Sequence, residues 1–169
     1  MKISAKGIAI IKHFESLHDG DLSKIGLQPK LCPAGIATVG WGHALSKIDG
    51  SPVMSITEAI KLFPQYANMD ITTAERLLAE DSVRFENGVN SLGLKLNQNQ
   101  FDALVSFSFN AGLGSLRQSS LLKRVRGTIE SPSIKDCFLM WNKGTVNGVK
   151  QVLKGLTLRR KAEAELYLS

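Results

Sequence analysis

The chain has 169 residues, 43% hydrophobic and 21% charged, which suits a folded globular protein with its own core and excludes a disordered chain. Its formal charge is +6, from 21 Lys and Arg against 15 Asp and Glu, so it is drawn to polyanions without charge alone choosing among nucleic acid, anionic lipid and cell wall. Two cysteines, Cys32 and Cys137, have no zinc-binding spacing and make no disulfide framework, so a reduced compartment at synthesis is expected.

The opening stretch, MKISAKGIAIIKHFESL, breaks its apolar residues with Lys6, Lys12, His13 and Glu15. No signal-peptide core and no bilayer span is expected there, so a target outside the cytoplasm would need separate release of the protein. Ser4 is placed to cap a first helix over about residues 4–17, with Ile8, Ile11 and Phe14 as its buried stripe. Residues 30–43, KLCPAGIATVGWGH, change character: Pro33 and Gly35 mark a turn inside a β-like run, read as a small hairpin or sheet. A helix over about 56–63 then stops at Pro64.

Thr72 and Glu75 have the spacing of a capping box, and Ala74, Leu78, Phe85 and Val89 continue one long helix. Asn97 and Gln100 open the next, which carries Phe101, Leu104, Val105 and Phe109 to a stop at Gly112. Further helices are expected over about 119–125, 133–142 and 157–167. The picture is one domain with a small lobe containing a β element, about residues 1–70, and a larger all-helical lobe over about 71–169.

Glu15 follows Ile11 by four residues and Ile8 by seven, which sets a carboxyl group on the apolar stripe. It also sits at the negative end of the helix dipole, and burial and dipole both favour the protonated form. A protonated carboxyl is what a general acid needs to protonate a glycosidic oxygen. An ordinary Glu paired with an arginine is the competing reading of the same position.

Four segments in this order, GIAIIKHFESL, CPAGIATVGWGH, QFDALVSFSFNAG and GLTLRRKAEAELY, resemble the phage-type lysozymes, the endolysins of glycoside hydrolase family 24. The resemblance runs from about residue 4 to 167. It implies an α+β, mostly helical lysozyme-like fold, with a small β-hairpin lobe and a larger helical lobe joined by a long helix. It also implies cleavage of the β-1,4 bond between N-acetylmuramic acid and N-acetylglucosamine in bacterial peptidoglycan.

The family pattern of a Glu, then an Asp or Cys, then a Thr six residues later falls on Glu15, Cys32 and Thr38. The resemblance implies Glu15 as proton donor, with Cys32 and Thr38 positioning or activating water, and Phe109, Asn110 and Ser119 lining the saccharide groove. Where relatives pass directly into the hairpin, this chain has extra residues, HDGDLSKI. Asp19 or Asp21 in that loop is an alternative source of the carboxylate that Cys32 lacks, although a lone Asp in such a loop is ordinarily a turn residue.

Cys32 is otherwise a small buried apolar side chain, and Thr38 a strand former. His43 is read as structural and Trp141 as core, while Trp41 is a candidate for stacking on sugar. Arg159 and Arg160 are read either as an interlobe ion pair steadying the acid helix or as a solvated basic face.

A lytic transglycosylase, which needs one carboxylate and closes an anhydro ring, is the alternative chemistry on the same bond. A silent binding module is the alternative class, though no zinc-finger spacing, RNA-binding aromatic platform or basic tract points to nucleic acid. No cofactor is implied, because carboxylate and water suffice for glycoside hydrolysis. The expected protein is a monomer made in the host cytoplasm, without stable membrane insertion, reaching peptidoglycan after holin-assisted release.

Overall fold

The structure is a computed structural model describing residues 1–17, 19–20, 23–32, 34–146 and 148–169. It divides into two compact units, one of residues 1–14 with 82–169 and the other of residues 15–81. The expected break near residue 70 therefore becomes two breaks, one at the end of the first helix and one inside the long helix.

The second unit holds a three-stranded antiparallel sheet, β1 (Lys30–Leu31), β2 (Ala37–Val39) and β3 (His43–Ala44), in the order β1-β2-β3. Lys30 faces Thr38, Leu31 faces Ala37, Thr38 faces Ala44 and Val39 faces His43. The central strand is buried at all three residues. Helix α2 (Ile56–Leu62) follows, capped by Ser55, whose side chain accepts the Glu58 N–H, and a 3-10 turn at Pro64–Tyr66 ends it.

Helix α3 (Ile71–Asn90) supplies residues to both units. Its cap differs from the sequence expectation. Asp70 Oδ1 accepts the Thr73 N–H at 2.6 Å, so the helix begins before Thr72. A carboxylate is the stronger partner for the positive helix end, which explains why Asp70 prevails over Thr72.

In the first unit, α1 (Ala5–Glu15) starts at Ser4, whose hydroxyl accepts the Lys6 N–H at 3.2 Å. The helix is tied down at its start by buried acids. Asp102 accepts from the Ser4 N–H and hydroxyl, and Glu86 accepts from the Ile3 N–H. These ties explain why the first helix leaves the β-containing lobe to which the sequence assigned it.

The same unit holds α4 (Gln98–Ala111), α5 (Leu113–Gln118), α6 (Ser120–Val125), α7 (Ile134–Leu139) and α8 (Lys154–Leu168). Asn97 and Gln100 form the expected capping box of α4. Phe101, Leu104, Phe107, Leu116, Leu121 and Phe138 fill the core.

The unit is not all-helical. An antiparallel hairpin, β4 (Lys143–Val146) and β5 (Val149–Val152), occupies the stretch before α8. In the sequence an Asn-Gly pair lies between Val146 and Val149, a strong local hairpin signal. The α7 helix accordingly stops at Leu139, short of the expected 142, while α8 begins at Lys154 rather than 157.

Candidate active site

In the second unit the site is built around the β2–β3 turn. Glu15 is half-buried at the last position of α1, and Ser16, at φ 57°, breaks the helix in the left-handed region. Gly42 stands against the acid: a Cβ built on it would lie 3.6 Å from Glu15 Oε2, and its φ of 89° is one that side chains rarely adopt. A glycine here lets the hairpin backbone border the carboxyl group without strain.

Cys32 and Thr38 come together on the same hairpin. The Cys32 N–H donates to the Ile36 carbonyl at 2.9 Å and the Gly35 N–H donates to the Cys32 carbonyl at 2.8 Å, which closes a tight loop after β1. Thr38, in the middle of β2, is 3% exposed. Its hydroxyl donates to the Ile36 carbonyl at 3.0 Å and is also a hydrogen-bond partner of the Cys32 thiol.

Burial pushes the Cys32 thiol up. Hydrogen bonds from the backbone at Ile36, Ala34 and Cys32 and from the Thr38 side chain outweigh it, leaving the thiol below its ordinary value. The half-buried thiol therefore ionises more readily than a free one, and its thiolate is the form able to act as a base.

The competing carboxylates of the inserted loop fare unequally. Asp19 Oδ1 accepts the Gln28 N–H at 3.2 Å, across nine residues of chain. Asp21 lies outside the described residues.

Next to Gly42, His43 Nδ1 lies 2.9 and 3.1 Å from the two carboxylate oxygens of Asp81 on α3. Because an ionised carboxylate only accepts, Nδ1 carries the proton and donates. This contact across 38 residues fits the structural role expected of His43, and no single-sequence signal predicts its partner. Both side chains are a little over a quarter exposed, so Asp81→Asn is expected to lower stability by about 1 kcal/mol. The corresponding fall in Tm is roughly 2–4 °C, readable by thermal unfolding followed by circular dichroism; an unchanged Tm would remove the pair from the list of stabilising contacts.

In the first unit, Arg159 and Arg160 are 2% and 0% exposed, so they are not a solvated basic face. Both engage the fully buried Glu163. Arg159 Nε donates to Glu163 Oε1 at 3.1 Å, Arg160 Nε stands 3.0 Å from Oε2, and the Ser106 hydroxyl donates to Oε1 at 2.8 Å. Burial pushes the Glu163 carboxyl up, against the pull of the Arg160 and Arg159 guanidiniums and the Ser106 hydroxyl. The Arg159 guanidinium also lies 5.9 Å from the ring centre of Phe14, the residue before Glu15.

Phe109 is half-buried with its ring 5.1 Å from that of Phe85. Asn110 is exposed, and its Oδ1 accepts from Arg160 Nη2 at 2.8 Å. Ser119 departs from its expected place in a saccharide groove. It is 2% exposed and caps α6, accepting the Leu122 N–H at 3.0 Å and donating to the Leu116 carbonyl at 2.7 Å. The structural use of this hydroxyl is the helix cap, with its proton committed to the Leu116 carbonyl. Trp41 is buried to 9% exposure, and Trp141 packs edge-on to Phe107.

Comparison with known proteins gives this arrangement a lineage. Residues 22–163 match the phage lysozyme family. The endolysin of Bacillus phage B103 is 34% identical over all of this chain, which spans 55% of that protein's length. The endolysin of Acyrthosiphon pisum secondary endosymbiont phage 1 is 32% identical, with all of this chain and 99% of that one covered.

Among solved structures, the endolysin from Escherichia coli O157:H7 phage FAHEc1 superposes with a TM-score of 0.76 at 33% identity, over 99% of this chain and 94% of that chain. The muramidase domain of SpmX from Asticaccaulis excentricus gives 0.73 at 32%, over 99% and 98%. Sequence match and shared α+β lysozyme fold agree over nearly the full length, and the chain belongs to the phage lysozyme family.

Proposed function

We propose that the chain hydrolyses the β-1,4 bond between N-acetylmuramic acid and N-acetylglucosamine in bacterial peptidoglycan. Glu15 donates its proton to the glycosidic oxygen as the bond to the anomeric carbon breaks. Water adds to that carbon and gives up a proton, which the Cys32 thiolate, steadied by Thr38, accepts. Phe109 and Asn110 contact the saccharide, Asn110 with its amide fixed by Arg160. The chain acts as a monomer on the wall after holin-type release from the cytoplasm.

The observation that supports hydrolysis is the hydrogen-bonded Cys32–Thr38 pair with its lowered thiol pKa. On ionising, that thiol gives an anionic group of the kind water activation requires, where most of the family places an aspartate. Cys32→Ser is expected to cut turnover about tenfold or more, because a serine hydroxyl is far harder to ionise. Cys32→Asp should keep or raise it. Both are checked on purified sacculi with the masses of the released muropeptides recorded. Products heavier by one water confirm hydrolysis. Anhydro products together with a silent Cys32→Ser would mean transglycosylation, for which one carboxylate is enough.

A further inference from the structure

Residues 137–162 contain six of the chain's 21 Lys and Arg and none of its 15 Asp and Glu. Two of the six, Arg159 and Arg160, are buried on Glu163, so the exposed positive charge of this stretch is that of Lys143, Lys150, Lys154 and Lys161. At its centre is the β4–β5 hairpin, and every described strand residue except Gly144 is exposed. A two-stranded hairpin gains little stability by itself. Such an arm on the surface calls for a partner or a role.

The register sorts its side chains. Lys143 faces Val152 and Thr145 faces Lys150 on one side, while Gly144 faces Gln151 and Val146 faces Val149 on the other. The base is anchored through Gly144, where a Cβ would lie 2.5 Å from the Leu153 side chain at the start of α8. Beyond that anchor Val146 and Val149 stand opposite one another at the tip, 39% and 64% exposed. At about 3.3 Å per residue, Lys150 sits about 3 Å and Lys143 about 10 Å behind the valine pair. Lys154 is exposed where α8 begins.

We propose that this hairpin is a peripheral docking element for the surface of an anionic phospholipid bilayer. Val146 and Val149 enter the interfacial layer tip first, and Lys143, Lys150 and Lys154 meet lipid phosphates at headgroup depth. The exposed lysines complement a negatively charged surface, and the valine pair selects among such surfaces. A hydrated wall polymer would engage the lysines but offer the valines no apolar layer, whereas a bilayer satisfies both.

The test is cosedimentation with vesicles of equal phosphatidylglycerol and phosphatidylcholine, against phosphatidylcholine alone, at low ionic strength. The protein should bind the first and not the second. Lys143→Gln with Lys150→Gln should weaken binding about 30-fold, and Val146→Ser with Val149→Ser roughly tenfold. Lys143→Arg with Lys150→Arg should retain it.

All variants should melt as wild type and digest purified sacculi at the wild-type rate, so the outcome is independent of the catalytic reading. No binding to phosphatidylglycerol vesicles, or binding that the valine changes leave untouched, overturns the proposal. So does a lysine variant that loses affinity for sacculi while keeping its affinity for vesicles, since the hairpin would then serve the wall.

Discussion

Glu15→Gln is expected to fold and melt like the wild type while losing wall-lytic activity by about a hundredfold to ten-thousandfold, the usual contribution of a general acid. The amide has the shape of the acid and can occupy the same half-buried place against Gly42. It cannot deliver a proton to the leaving oxygen. The loss should therefore fall on kcat, with KM little changed, since saccharide contacts elsewhere remain. Clearing of purified sacculi, with circular dichroism to confirm the fold, reads both quantities. Wild-type clearing by Glu15→Gln would end the assignment of Glu15 as proton donor and shift attention to the carboxylates of the inserted loop.

The candidate site is legible in the sequence to different degrees, for reasons that differ residue by residue. The placement of Glu15 followed from helical periodicity, because Ile8, Ile11 and Phe14 fix the apolar stripe of α1 and hence the side to which the fifteenth residue belongs. Cys32 and Thr38 were accessible only through family resemblance. A thiol before a turn and a threonine in a strand carry no chemistry by themselves, and their hydrogen-bonded union depends on the closure between Cys32 and Ile36.

The misreadings have equally local causes. Asp70 and Thr72 are both acceptable caps, and charge decided between them. The Asn-Gly pair between Val146 and Val149 signals a hairpin within a stretch whose flanks read as helical. The capping role of Ser119 depends on α6, which local sequence around a single serine does not reveal. The His43–Asp81 contact and the burial of Arg159 and Arg160 belong to tertiary packing, which one-dimensional patterns of charge do not encode.

That buried cluster sets the second large expectation. Glu163→Ala should destabilise the protein by about 3–5 kcal/mol, the usual consequence of removing one member of a buried ion pair. Glu163 is 0% exposed, and its carboxylate is shared by Arg159, Arg160 and the Ser106 hydroxyl. Arginine stays protonated at any accessible pH, so deleting the acid leaves two guanidiniums in the interior without their common counter-charge.

Packing amplifies the effect. Arg160 lies over the Phe107 ring at 4.8 Å and donates to Asn110, and Arg159 donates to the Ser106 carbonyl at 3.3 Å. Neither side chain can swing to water without opening the contact between α4 and α8. Glu163→Gln retains the shape and one acceptor, so it should recover the hydrogen bond from Ser106 but not the charge balance, and fall between alanine and wild type. Adding Arg160→Met to Glu163→Gln should cost less than the two single changes together, because each removes the reason the other is harmful. Urea unfolding of the four proteins measures this coupling. A loss below about 1 kcal/mol in Glu163→Ala, in the range of an exposed pair, would show that the cluster is solvated and does not hold α8 to α4.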